Sequence, residues 1–204
     1  MNLRHLCGDY VHVSDSGRAM GGEVEAIQCE LLVLRCRRND PDAWREMVGL
    51  FERRLLYYIR RLLGDPRDAW DALQQTWMEV FRNLRTLQNP RALRPWLYRI
   101  AHRRAISLRR ATTCDLPEPD GSVDVEQLAD EPADADWNIE TAQQIHRALD
   151  RLSLPHRQVI TLFFLEEMPI DEIADVVGVP PGTVKSRLHY AKLALRRLLE
   201  AESS

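Results

Sequence analysis

Asp40-Pro41 and Asp65-Pro66 each set a carboxylate immediately ahead of a proline. Proline donates no backbone hydrogen and its φ is preset for a first helical turn, while the aspartate side chain accepts the amides that open a helix. Each pair therefore closes one helix and begins the next. Between these marks apolar residues recur at three- and four-residue steps: Trp44, Val48, Phe51, Leu55, Tyr58, Ile59 and Leu62, then Trp70, Leu73, Trp77, Val80, Phe81 and Leu84. That period fits helix and not strand. No β-rich run bounded by turn residues occurs, so the expected fold class is all-α.

The same punctuation organises the rest of the chain. Glu25 to Arg37 reads as a helix with Ile27, Leu31 and Leu34 as its apolar set, Gly64 ends the next, and Asn89-Pro90 breaks the chain before Pro95 opens a helix through Arg110. After Trp137 the pattern returns: Ile139, Ile145, Leu149 and Leu152, then Val159 to Leu165, Ile170 to Val177 and Pro181 to Glu200. The expected organisation is a poorly ordered extension over 1–24, with Met20 as an alternative start, a helical domain over 25–112, a linker over 113–136 and a second helical domain over 137–204. Stretched between the domains, Pro117, Pro119 and Pro132 sit among few large apolar residues, a composition that cannot offset the entropy of ordering.

The net charge of −3 conceals a segregation. From Arg45 to Arg110 there are 15 basic and 6 acidic residues, whereas Ala111 to His146 holds 10 acidic residues and no Lys or Arg. A basic block beside an acidic linker reads as a polyanion-binding domain on a tether. No apolar run approaches the roughly 18 to 20 residues of a membrane span, and the N-terminus lacks a signal-peptide core, so no membrane insertion and a cytoplasmic location are expected. Cys7, Cys29, Cys36 and Cys114 show no Cys-x-x-Cys spacing and are expected as free thiols, with Cys29 and Cys36 on one helix face. His5, Cys7, His12 and Cys29 lack the close ligand pairs of a zinc site, and the linker carboxylates lack a rigid scaffold. No metal and no cofactor are therefore expected.

Gly178-Val179-Pro180-Pro181 makes a tight corner between two amphipathic segments. Glycine tolerates the left-handed conformation that ends a helix, and proline resets the next one. Ile170, Ile173, Ala174 and Val177 face Val184, Leu188, Ala191 and Leu195 across it, with small Ala174 allowing close crossing. This is a helix-turn-helix, whose second helix presents its front end to the major groove. Thr183, Lys185, Ser186 and Arg187 stand at that end, and Arg187 has the fork geometry that reads guanine.

The stretch "PIDEIADVVGVPPGTVKSRLHYAKLALRRLL" resembles region 4 of the extracytoplasmic-function sigma factors, initiation factors of the sigma-70 family. "RLLGDPRDAWDALQQTWMEVFRNL" and "RPWLYRIAHRRAISLRR" are similar to the two principal helices of their region 2. The two blocks stand in the family's order and cover most of residues 25 to 200.

The resemblance implies partners and roles. Core RNA polymerase would meet Asp71, Gln74 and Gln75 through its β′ clamp helices, with Leu73, Trp77 and Phe81 in the core; Gln75 stands where the family commonly has Glu. Gln88 and Asn89 fall in the loop that captures a base flipped from the minus-ten strand, although Gln88-Asn89-Pro90 differs from the family's usual Arg-Gly-Asp. Arg99, His102, Arg103 and Arg104, with Arg109 and Arg110, would follow DNA phosphates, and Arg103 and Ser107 replace the family's usual Asn and Asp. Trp96 is expected in the core, with stacking on a base as the alternative. Pro181, Thr183, Lys185, Ser186 and Arg187 would contact minus-thirty-five promoter DNA, with His189 and Lys192 on phosphates, while Leu154 to Leu165 supports a face meeting the β flap. An anti-sigma factor is a further expected partner.

The expected function is a promoter-specificity subunit of RNA polymerase. Its rival is a polymerase-independent helix-turn-helix regulator, which leaves the Arg45 to Arg110 block without a purpose. No nucleophile motif or phosphate loop occurs, so no catalytic residue and no enzyme activity are expected.

Overall fold

A computed structural model of the chain describes residues 18–112 and 142–202. Among these residues every regular element is helical: α1 (Arg18–Arg37), α2 (Pro41–Leu63), α3 (Pro66–Asn83), α4 (Leu93–Thr112), α5 (Ala142–Arg151), α6 (Leu154–Phe164), α7 (Ile170–Val177) and α8 (Pro181–Glu202). Two single 3-10 turns, Leu84–Thr86 and Pro90–Ala92, join α3 to α4. The all-α expectation holds. The chain divides into two compact units between Arg109 and Arg110, in the last turn of α4: one carries α1 to α3 and nearly all of α4, the other α5 to α8. The expected linker and most of the expected extension lie outside the described residues. No described helix is long and apolar enough to cross a membrane.

In the first unit the cap-and-proline reading holds in atomic detail. The Asp40 carboxylate accepts from the amides of Asp42 (2.9 Å) and Ala43 (3.3 Å), and Asp65 accepts from Arg67 (2.6 Å) and Asp68 (3.4 Å). Arg35 also binds Asp40 at 3.0 Å, and this hydrogen bond is the main reason its carboxyl lies below the usual range. Gly64 closes α2 at φ 80°, where a side chain would be strained. Met47, Phe51, Leu55, Tyr58, Ile59 and Leu62 then line the buried face of α2.

Two stripes differ from expectation. In α1 the buried face is Cys29, Leu32, Val33 and Cys36, while Ile27, Leu31 and Leu34 are exposed. This helix is apolar on two opposite sides, and α2 and the 3-10 turns cover only one of them. It also begins at Arg18, ahead of Glu25. In α3 the core is made by Ala69, Ala72, Leu73, Thr76 and Val80; Trp77 is half-buried, and Trp70 and Phe81 are 54% and 67% exposed. Phe81 packs its ring at a tilt of 47° against Trp44, 4.9 Å between centroids, and stays largely open to solvent. Helix α4 starts at Leu93, two residues before Pro95, because Asn89 caps the preceding turn by accepting from the Arg91 amide at 3.1 Å. Proline is tolerated at Pro95 because that position lies in the first helical turn, where no amide partner is lost.

In the second unit Ile145, Ala148, Leu149, Leu152, Ile160, Ala191 and Leu195 form one apolar cluster that sets α5 and α6 against α8. Burying the five leucine and isoleucine side chains of this cluster stabilises the unit by roughly 1.5–3 kcal/mol each. Cys29 and Cys36 are both buried, and burial pushes the Cys36 thiol up to about 11, which leaves it unreactive.

Candidate nucleic-acid interface

The corner before α8 is a helix stop and a restart made entirely by backbone groups. Gly178 takes φ 73° and ψ 35°, and its amide and that of Val179 donate to the Ala174 carbonyl at 2.8 and 3.2 Å. Two residues on, the Pro180 carbonyl accepts the amides of Thr183 (2.9 Å) and Val184 (3.2 Å), starting α8. Ile173 and Ala174 bury against α8, whose Val184, Leu188, Ala191 and Leu195 form the inner face. Val176 is buried where the sequence pattern favoured Val177.

That inner face decides which side chains of α8 look outward. Pro181, Gly182, Lys185 and Ser186 are exposed, and Thr183, Arg187, His189 and Lys192 are half-buried. Gly182, Ser186 and His189 follow at four- and three-residue steps and share the outer face. Lys185 and Arg187 are separated by roughly 200° about the axis and stand on opposite flanks of it. Neither makes an ion pair among the described residues. Ser186 donates its hydroxyl to the Gly182 carbonyl at 3.1 Å. Lys192 lies over the rings of Phe163 (5.7 Å) and Phe164 (5.6 Å), so it also ties α8 to α6.

On α4 the expected cations divide into two kinds. Trp96, Arg99, Arg103 and Arg110 succeed one another at three-, four- and seven-residue steps and form one face, with Trp96 half-buried. Arg99 and Arg110 are exposed and have no side-chain partner among the described residues. Arg103 and Arg104 instead bind the two carboxylate oxygens of Glu79 from α3. Gln88 and Asn89 are exposed in the connection between the 3-10 turns, Asn89 with its carbonyl oxygen committed to capping.

His102 departs from its expected role. Its Nδ1 lies 2.9 Å from the Tyr58 hydroxyl, and burial pushes its pKa down to about 4. A neutral imidazole gives a phosphate no charge, so His102 belongs to the packing between α2 and α4. Because the ordinary value is 6.5, the unfolded chain takes up this proton first as pH falls. The stability tied to the neutral ring is intact above about pH 6.5 and is lost toward pH 4, approaching roughly 3 kcal/mol. Melting curves of His102→Gln should show a smaller stability loss between pH 6.5 and 4.5 than the parent; equal losses would assign the acid sensitivity elsewhere.

Helix α3 offers a third surface. Trp70, Asp71, Gln74, Gln75, Met78 and Phe81 are all exposed along one side, opposite its buried face. Sequence reasoning located the polar members and placed Phe81 inside. It missed Glu79, although Glu79 is the only carboxylate between Asp71 and Asp115 and so stood out within a basic run. No group of three or more His, Cys, Asp or Glu among the described residues is placed to hold a metal ion.

One unit carries a helix-turn-helix whose second helix presents Lys185 and Arg187 near its start, and the other carries an arginine face on α4, an arrangement suited to helical DNA-binding proteins. Residues 47–113 match sigma-70 region 2 and residues 142–195 match sigma-70 region 4. The chain is 32% identical over 179 residues to the ECF RNA polymerase sigma factor SigM of Mycobacterium tuberculosis, covering 88% of each protein. It is 27% identical over 181 residues to the ECF RNA polymerase sigma factor SigW of Bacillus subtilis, covering 82% of this chain and 94% of the relative. Among solved structures, sigma factor RpoE of Bartonella quintana, in complex with the anti-sigma factor NepR, superposes with a TM-score of 0.61 at 25% identity, over 77% of this chain and 96% of that one. CnrH, in complex with the cytosolic domain of CnrY, shares the fold, with a TM-score of 0.62 at 22% identity over 84% and 97% of the two chains. The chain belongs to the extracytoplasmic-function sigma factors of the sigma-70 family, and its function is that of an RNA polymerase sigma factor.

Proposed function

We propose that the exposed side of α3 is the polymerase-docking surface and that the two cationic helices, α4 and α8, grip the two promoter elements. The observation that carries this reading is the exposure of Trp70, Met78 and Phe81 around Asp71, Gln74 and Gln75. A regulator acting without polymerase needs only the helix-turn-helix, and an apolar surface of this kind is the mark of a protein partner. Asp71, Gln74 and Gln75 meet the β′ clamp helices, and the α6 side of the second unit meets the β flap. Lys185, Ser186, Arg187 and His189, with Pro181 and Thr183 at the helix start, lie against the minus-thirty-five duplex. Gln88 and Asn89 receive a minus-ten base, and Arg99 and Arg110 follow the adjoining phosphates.

Each unit binds weakly alone. Joined by residues 113–136 and held together by polymerase, each raises the local concentration of the other at its site, so the contacts reinforce one another. The protein performs no covalent chemistry, works in the cytoplasm, and is held inactive by an anti-sigma protein of the kind named with the Bartonella quintana relative.

The test uses purified full-length chain, core polymerase and promoter templates. The parent should direct initiation at defined sites, and Met78→Glu should lose core binding while retaining α8-dependent binding of the upstream duplex. Upstream binding of equal strength with and without polymerase, together with an inert Met78→Glu, favours the free-standing regulator.

A further inference from the structure

Glu79 is 11% exposed at its side chain, and both of its oxygens are occupied by arginines of the neighbouring helix. Arg103 binds Oε1, and Arg104 binds Oε2 through Nε at 2.7 Å and through its second guanidinium nitrogen. The arginines themselves are 61% and 40% exposed, at and beside the face that carries Arg99 and Arg110. One carboxylate thus removes about one unit of positive charge from that face and fixes the direction of two guanidinium groups. It is the sole acidic residue in a run of about forty positions otherwise suited to binding any polyanion.

We infer that Glu79 is a positioning residue for promoter selection: it holds Arg103 and Arg104 against α3 and so limits sequence-independent attraction of the α4 face to phosphates. The reasoning is electrostatic. Each phosphate neutralised by the protein adds about 0.9 to the slope of log affinity against log salt for duplex DNA, and this affinity is blind to sequence. Cations clasped by a fixed carboxylate contribute less to it, leaving selection to groups that read bases. Glu79 also lies one turn from Gln75 on α3, so the same helix carries the proposed polymerase contact and the clasp. This inference rests on the reading of α4 as the minus-ten DNA face.

The experiment compares parent holoenzyme with holoenzyme carrying Glu79→Gln, which keeps the shape and removes the charge. Affinity is measured from 50 to 200 mM salt for a promoter duplex and for a duplex of the same length lacking promoter elements. The variant should bind the non-promoter duplex about threefold to tenfold more tightly at the low end and steepen its salt slope by about one, narrowing the preference for promoter. Adding Arg103→Gln and Arg104→Gln to Glu79→Gln should return the slope to the parent value or below. An unchanged slope, accompanied at most by a lower melting temperature, overturns the inference and leaves Glu79 a fold-stabilising residue. A parent holoenzyme with no promoter preference at all overturns the underlying reading of the α4 face.

Discussion

Arg187→Ala should lower affinity for the upstream promoter element by about 5- to 150-fold, or roughly 1–3 kcal/mol, and relax preference at one base pair. The side chain makes no ion pair among the described residues and stands on one flank of the α8 outer face; the proposed seating of that face in the groove would bring it to a base edge. Lys185→Ala, on the opposite flank, should behave differently. Its loss should weaken all upstream duplexes alike and reduce the salt slope by about one, as expected for a phosphate contact. The contrast tests geometry as well as chemistry: two cations separated by about 200° on one helix cannot both point at the floor of the groove. Binding measured by competition across single-base variants of the upstream element distinguishes the two. If the two substitutions give the same uniform loss, Arg187 is a phosphate contact and base selection falls to Ser186, His189 and Thr183.

The second large effect concerns stability. Leu55 has no exposed surface and sits at the middle of α2, where it contributes to the core of the first unit. Leu55→Ala removes buried methyl groups and leaves a cavity, at a cost of about 2–5 kcal/mol. For a domain of this size that lowers the melting temperature of the first unit by roughly 10 °C or more. The second unit has its own apolar cluster of Ile145, Leu149, Leu152, Ile160 and Leu195, and its transition should stay in place. Scanning calorimetry of the variant should therefore separate two transitions, and minus-ten activity should fail before upstream duplex binding does. A single transition moving as a whole would contradict two independently folding units.

Much of this fold is readable one residue at a time because its determinants are local. Asp40, Asp65 and Asn89 act on amides two or three positions away, Gly64 and Gly178 act on their own φ, and the prolines act on the turn they occupy. The helix-turn-helix lies wholly within this class. The candidate site was less legible. Lys185 and Arg187 were found as cations, but their opposite flanks followed from which side of α8 the core claims. His102 looked like one more base in a basic run, and only burial between packed helices, beside the Tyr58 hydroxyl, makes it a neutral packing group.

The limit of sequence reading is clearest on α1 and α3. Periodicity marks apolar faces, and α1 has two of them, Ile27–Leu31–Leu34 and Cys29–Leu32–Val33–Cys36. Either satisfies the helical period, so burial of the second depends on the surfaces that α2 and the 3-10 turns bring to it. Likewise, the clasp of Arg103 and Arg104 by Glu79 spans 24 and 25 residues and exists because two packed helices align in one register. Helix starts, helix ends and the tight corner were settled by hydrogen bonds and torsions within a turn of chain. Which faces are buried, and which charges remain free for DNA, came from contacts between helices far apart in sequence, where packing of the whole unit sets the geometry.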